Sequence, residues 1–235
     1  MILTLMALAI APGIAIILFI YYKDRFEKEP FSLLLKCFLL GLLTIIPPIF
    51  IETAGVHFSP ELSGNAFHTI IYAFLFVGLS EEFSKFLLLR IYPYRSKHFN
   101  EPFDGIVYSV VISMGFATAE NILYVIDNGI GVALTRMFTA VPAHAAFGVL
   151  IGFYVGLSKL KKHNFWYLSI GLFTATAAHG FYDYFLFQKD VPGMQIFSFV
   201  CLIFIIKLSL RAIRVHRKNS PFNPNNKTDI TENAG

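Results

Sequence analysis

Two adjacent carboxylates, Glu81 and Glu82, stand inside an otherwise apolar run, GLSEEFSKF, with Lys85 close behind. Glu120 and Asn121 follow in GFATAENILY, His144 in VPAHAAFG, and His179 with Asp183 in TAAHGFYDYF. An ionisable side chain at the centre of a membrane helix costs about 2.5–3.5 kcal/mol on insertion scales. Such residues persist when they face a bundle interior, pair with one another or do work. The spacings are helical. Glu81 and Glu82 lie four and three residues before Lys85, so either can pair with it on one face. His179 and Asp183 are four apart, as are Phe116 and Glu120. Carboxylate, imidazole and water form a hydrolytic set: a Glu takes a proton from water, and a His stabilises an oxyanion or holds a metal. Zinc accepts His and carboxylate ligands around an open water position, and His144, His179, Asp183 and Glu120 would suffice as ligands. No local ligand motif fixes such a site. Each residue also has a plainer reading. Lys85 can be one half of a structural ion pair, His144 or His179 an interhelical hydrogen-bond donor, and Glu120 with Asn121 polar glue between helices. Adjacent carboxylates inside a membrane are harder to explain as packing.

The elements that must position these groups follow from composition. Of 235 residues 56% are hydrophobic and 14% charged, with 26 Phe, against about 25% charged in a soluble domain. That excludes a soluble globule and a disordered chain. A spanning helix needs about 20 apolar residues. Seven stretches qualify, at 2–22, 31–51, 67–89, 105–126, 137–157, 165–187 and 194–213. They are apolar all round and do not alternate, which makes them helices rather than strands. The expected fold is therefore an all-α polytopic bundle of seven transmembrane helices. A membrane domain covers 1–213, and a disordered cytoplasmic tail covers 214–235. No Lys or Arg precedes Lys23, so the first stretch reads as a permanent span rather than a cleaved leader. Basic residues mark orientation. Fifteen lie in the segments around 23–30, 90–97, 158–164 and 207–227, against Arg136 and Lys189 on the other side, which places the N-terminus outside and the C-terminus in the cytoplasm. The net charge of +4 thus reports topology and attraction to anionic lipid, not a nucleic-acid surface. Pro47, Pro48 and Pro142 should kink their spans, leaving carbonyls that need partners within the bundle. His57, His68, His98, His163 and His216 fall at boundaries or in cytoplasmic segments and read as solvated. Cys37 and Cys201 form no metal or redox motif. Counting along alternating spans puts Glu120, His144 and His179 in the outer half of the bilayer and Glu81 and Glu82 nearer the middle. A tilted or broken third helix would close that gap.

Familiar hydrolase signatures are missing. There is no His-Glu-x-x-His, no Gly-x-Ser-x-Gly, and no Gly-x-Gly-Asp to partner Tyr182-Asp183. Ser84 and Lys85 are adjacent and cannot face each other on a helix. The set Glu81-Glu82-x-x-Lys85, Phe116-x-x-x-Glu120, His144 and His179-x-x-x-Asp183 resembles the PrsW family of bacterial membrane proteases. The segment YYKDRFEKEP at 21–30 looks like that family's first cytoplasmic loop. The chain is more distantly similar to CAAX prenyl endopeptidases and bacteriocin-processing membrane proteins, but it has Glu120 where their second motif has His. The PrsW resemblance implies a cell-membrane endopeptidase that makes the site-1 cut in a single-pass anti-sigma factor, starting release of an envelope-stress sigma factor. Carried over by motif position, Glu81, Glu82 and His179 are the catalytic candidates. Glu120, His144 and Asp183 are supporting or metal candidates, and Lys85 is an ion-pair partner. The cofactor is open between none and a divalent metal such as zinc. Placement in the outer half points to cleavage near the extracytoplasmic side. The reading from a different class is a proton-coupled transporter with the Glu and His residues as a relay. It requires a polar path to both faces, and the first, second and seventh spans contain few ionisable groups.

Overall fold

The structure, a computed structural model, describes residues 2–58, 65–161, 164–188 and 190–226. It is all-α, with no strand among the described residues. In chain order the helices are α1 (Ile2–Lys23), α2 (Phe31–Leu43), α3 (Ile46–Phe58) and α4 (Ala66–Ile71). Helix α4 runs through a π-helical segment, Tyr72–Leu79, into α5 (Ser80–Ile91), and a 3₁₀ turn at Pro93–Arg95 follows. Then come α6 (Pro102–Phe138), α7 (Ala140–Leu160), α8 (Asn164–Phe187) and α9 (Met194–Lys218). Among the described residues, four stretches are long and apolar enough to cross a membrane: Ile2–Lys23, Phe31–His57, Pro102–Leu160 and Met194–Lys218. The distribution of polarity is that of a membrane protein. Lys85 and Glu82 are buried, while Phe165, Phe173 and Phe204 face outward.

Helix α6 is the axis of the bundle, buried almost continuously from Pro102 to Thr118. Small residues let its neighbours approach, since association inside lipid relies on close packing rather than on a hydrophobic drive. A Cβ on Gly105 would lie 2.3 Å from the Gly152 carbonyl oxygen on α7, and one on Gly115 would lie 2.3 Å from the Phe38 carbonyl oxygen on α2. Gly105 faces Gly152 and Gly156, and Gly148 faces Ser113, so α6 and α7 run antiparallel.

Three interruptions shape the site. The break between α2 and α3 falls at Thr44–Ile45, just before Pro47 and Pro48. Pro48 has no N–H to return to the Thr44 carbonyl; the Ser84 hydroxyl of α5 donates to that oxygen instead, at 2.5 Å. The expected partner for a freed carbonyl is thus present. Pro142 behaves differently from the kink expected of it. Helix α7 begins at Ala140, so Pro142 occupies the first turn, where an N–H has no intrahelical partner anyway. The third interruption is Gly129, whose φ of 75° is left-handed and divides α6 into two limbs. A straight helix would separate Asn121 and Arg136 by about 22 Å, yet their side chains hydrogen-bond at 2.9 Å. The chain folds back on itself there.

The segments rich in basic residues collect at one end. The Lys159 ammonium at the foot of α7 donates to the Tyr94 carbonyl at 2.6 Å, and the Arg90 guanidinium lies 4.2 Å over the Tyr94 ring. The Asn100 amide reaches Glu27 of the α1–α2 loop at 3.0 Å. Helix α9 continues to Lys218, past the expected end of the membrane part, and residues 219–226 make local turns. His216 is not solvated as expected. It is buried, its ring stacks on Phe153 at 4.1 Å, and Nε2 donates to the Phe153 carbonyl at 2.8 Å. One amphipathic turn beyond the span tucks its imidazole against α7. His163, Lys189 and Lys227 lie outside the described residues.

Candidate active site

Four elements deliver the expected site residues to one place. Helix α5 presents Glu81, Glu82 and Lys85, all buried on the same face. The π-helical segment before it carries the chain across α8, where Gly78 sits against the Thr176 carbonyl oxygen and the Gly180 nitrogen. π-Turns are uncommon and cluster at functional sites. The Ser80 hydroxyl caps the junction by donating to the Phe76 carbonyl at 2.5 Å. Glu81 is about 15 Å of helix rise from the end of α5, whereas His179 is about 22 Å from the start of α8. This is the depth mismatch read from the sequence. The connector between α5 and α6 takes it up, because Pro93, Tyr94 and Phe99 are buried within the bundle rather than solvated.

The contacts form a continuous network. The Lys85 ammonium lies 2.6 Å from Glu82 Oε1, 3.4 Å from Glu81 Oε2 and 3.3 Å from His144 Nδ1. It also sits 4.3 Å over the Phe116 ring, so Phe116 shields the cation and does no chemistry of its own. His179 Nδ1 is 2.8 Å from Glu82 Oε1, and its Nε2 is 3.1 Å from Asp183 Oδ2. His144 Nε2 is 2.8 Å from Glu120 Oε2, which also accepts from the Arg136 guanidinium at 2.7 Å. Phe147 stacks on the His179 ring at 4.6 Å and fixes its plane.

The two imidazoles repeat one arrangement. Each turns Nε2 outward onto a carboxylate, Asp183 or Glu120, and Nδ1 inward toward the glutamates of α5. A carboxylate holding the far nitrogen of a histidine sets its tautomer and aims the near nitrogen at whatever it binds. One oxygen each of Glu81 and Glu82 and one nitrogen each of His144 and His179 lie within 4.8 Å of one another. This inner group differs from the ligand set weighed from sequence: it contains neither Glu120 nor Asp183, which stand behind the histidines. Two carboxylates and two imidazoles are a donor set that zinc accepts. Glu82 Oε2 is buried with no hydrogen-bond partner, which leaves it free for a ligand bond. These residues fit a divalent metal. The Lys85 ammonium stands among three of the same four donors, so a bound ion and Lys85 compete for the same negative charge.

Beside the network lies a cavity of 190 Å³. Glu81, Glu120, His144, His179 and Asp183 line it; Glu82 does not. A larger groove of 550 Å³ between α7, α8 and α9, walled by Phe153, Phe173 and Phe204, holds no carboxylate or imidazole.

Residues 29–209 match the family described as PrsW family intramembrane metalloprotease. The chain belongs to the PrsW protease family. It is 39% identical over 196 residues to Protease PrsW of Geobacillus kaustophilus, covering 81% of this chain and 83% of that protein. It is 38% identical over 179 residues to Protease PrsW of Bacillus subtilis, covering 75% and 80%. To Protease PrsW of Oceanobacillus iheyensis it is 35% identical over 222 residues, covering 92% and 97%. No solved structure matches the chain. As a PrsW protease the chain is a membrane-bound peptidase of the cell membrane.

The PrsW cavity also contains residues that sequence reading passed over. Glu52 of α3 lines it, one position beyond the end of the second apolar stretch. Tyr72, Tyr124 and Tyr182 share the wall, and Arg136 closes one side. Arg136 read as an outer-loop charge. Its partnership with Glu120 depends on the reversal at Gly129, which one glycine among 16 does not announce.

Proposed function

We propose that this PrsW protease is a membrane-embedded endopeptidase that makes the first cut in a single-pass, membrane-anchored anti-sigma factor. The observation that carries the hydrolytic reading is the inward pattern of the site: two oriented imidazoles and, of the paired glutamates, Glu81 facing a 190 Å³ cavity. The anti-sigma factor as substrate rests on the family resemblance.

The two glutamates take different parts. Glu82 is fully buried, 0% exposed, and its Oε1 is held by both Lys85 and His179. It positions those two groups. Glu81 faces the cavity and is held loosely, so it is the base. Glu81 takes a proton from water as the oxygen attacks the scissile carbonyl carbon. The oxyanion forms beside His179, which polarises the carbonyl and is oriented by Asp183. Collapse breaks the C–N bond, and the proton held by Glu81 passes to the departing amine. His144, fixed by Glu120 and Arg136, completes the water pocket. Glu81, Glu82, His144 and His179 would hold a metal, and such an ion supplies Lewis-acid polarisation and a more acidic water.

The reading extends to topology. Four stretches meet the span criterion, and the antiparallel limbs of α6 and α7 make two passes of one of them. Adding the continuous 66–91 segment and α8 completes seven passes, with the N-terminus outside. The test is cleavage of a fluorescent single-pass anti-sigma segment by the purified full chain in nanodiscs. Glu81→Gln, Glu82→Gln and His179→Ala should each abolish the cut; wild-type rates from all three would overturn the proposal. Metal analysis of the same preparation with chelator titration separates the glutamate-only and metal-assisted forms.

A further inference from the structure

Glu52 is an acid that the peptidase reading leaves unused. The other carboxylates of the cavity are engaged: Glu81 by Lys85, Glu120 by His144 and Arg136, and Asp183 by His179. Asp24 and Glu29 of the first loop are buried beside Asp104 at the start of α6, about 24 Å of helix rise from Glu120. Glu52 stands on α3, half-buried, and lines the membrane cavity. It makes no hydrogen bond and no ion pair with any described residue. The charges of Glu120, His179, Asp183 and Lys85 reach it, but the Lys85 ammonium is held by Glu81 and Glu82.

Helix α3 brings Glu52 to the cavity by packing on the π-helical segment. Gly55, three residues on, sits against the Phe76 ring, and Phe76 stacks on Tyr72 at 6.2 Å. Tyr72 lines the same cavity, and the charge of Glu52 reaches its hydroxyl. The cavity already contains one such pairing with its cation in place. Arg136 donates to Glu120 at 2.7 Å and lies 4.1 Å over the Tyr124 ring, and a guanidinium gains from both a carboxylate and an aromatic face. Glu52 and Tyr72 offer a carboxylate and an aromatic ring with no cation between them. Among the described residues that line the cavity, four are carboxylates and one, Arg136, is a permanent cation. A peptide side chain that enters therefore meets negative charge. A half-buried carboxylate without a counterion favours a side chain that brings a positive one.

We propose that Glu52 selects the substrate, by receiving a lysine or arginine side chain placed close to the scissile bond. The proposal rests on the peptidase reading of the site. Glu52 lies outside the inner group of Glu81, Glu82, His144 and His179, so the selection does not depend on an ion bound there.

The test uses the purified full chain in neutral phosphatidylcholine nanodiscs. The probes are N-acetylated fluorescent single-pass peptides in which Lys, Gln or Glu occupies one position in turn along the extracytoplasmic end of the span. Mass spectrometry locates the cut. At one position near it, kcat/KM should be at least about tenfold higher for Lys than for Gln, as a hydrogen bond to a charged group gives, and lower again for Glu. Glu52→Gln should abolish that preference, and Glu52→Lys should turn it toward Glu. A purely structural role would change the rates of all peptides alike. The isosteric Glu52→Gln decides the matter if Glu52→Lys folds poorly. Cleavage with no position preferring Lys, or with a preference that Glu52→Gln retains, would overturn the proposal and leave the peptidase reading standing. If no peptide is cut, the peptidase reading fails instead, and fluorescence anisotropy of the same peptides still decides the role of Glu52. Tighter binding of a Lys peptide that Glu52→Gln loses supports the proposal; equal binding of the Lys and Gln peptides overturns it.

Discussion

Glu81 and Glu82 are neighbours in the chain, yet one lines a cavity and the other is sealed behind it, and the two should fail differently. Glu81→Gln leaves the packing in place and removes the proposed base, so kcat should fall about 10²–10⁴-fold while substrate capture by the inactive protein is retained. Glu82→Gln releases Lys85 and His179 together, so it lowers thermal stability as well as rate. Melting of the two variants beside single-turnover cleavage checks the split. Asp183→Asn and Glu120→Gln act through the histidines. Each should cost about 10–100-fold in activity or metal affinity, and equal, undiminished rates from both would show that the carboxylates do not orient the rings.

At the scale of elements, the site is assembled by interruptions rather than by regular helix. Ser84 replaces the hydrogen bond that Pro48 cannot supply, so Ser84→Ala should lower stability by about 1 kcal/mol with the chemistry intact. Gly129, at φ 75° and ψ −161°, takes a backbone conformation open essentially to glycine alone, at about 1–3 kcal/mol for other residues. Gly129→Val should loosen the reversal, free Arg136 from Glu120 and reduce cleavage more than stability. Activity and melting of this variant beside Arg136→Gln report whether the reversal acts through that one contact. The α6–α7 seam is less forgiving. A Cβ on Gly156 would lie 2.1 Å from the Pro102 carbonyl oxygen, so even Gly156→Ala must push the helices apart.

The whole molecule has one polar cluster at the start of α6 and another around Glu120, halfway along it, and the one outside the membrane site makes stability depend on pH. Burial pushes the Asp24 and Glu29 carboxyls from 3.8 and 4.5 up to about 7. Across that interval the folded chain holds protons that the unfolded chain releases. The stability these groups contribute is therefore full below about pH 4 and is lost as pH rises to about 7. In chelator, the melting midpoint should fall from about pH 5 to about pH 8, and Asp24→Asn should flatten that fall. For orientation, single cysteines at Lys97 and Asp127, in a chain with Cys37 and Cys201 replaced by Ser, should be labelled from opposite sides of intact cells.

By itself the sequence determined that the chain is a helical membrane protein and which of its few intramembrane charges are candidates for a site. Apolar runs without alternation allow only helices in lipid, and a charge placed there needs a reason. Glu81, Glu82, Glu120, His144, His179 and Asp183 could be picked out on those grounds, and they do converge. Their division of labour could not be. Which nitrogen of each histidine turns inward, which glutamate meets the cavity and which carboxylates stand behind depend on how the helices pack. The sequence separations of the partners, from 24 to 97 residues across His144–Glu120 and His179–Glu82, leave no periodic trace. Arg136 and Glu52 were hidden for the same reason. So was the carboxylate cluster of the first loop: in sequence its acids look like solvated loop charge, and only the fold shows them buried.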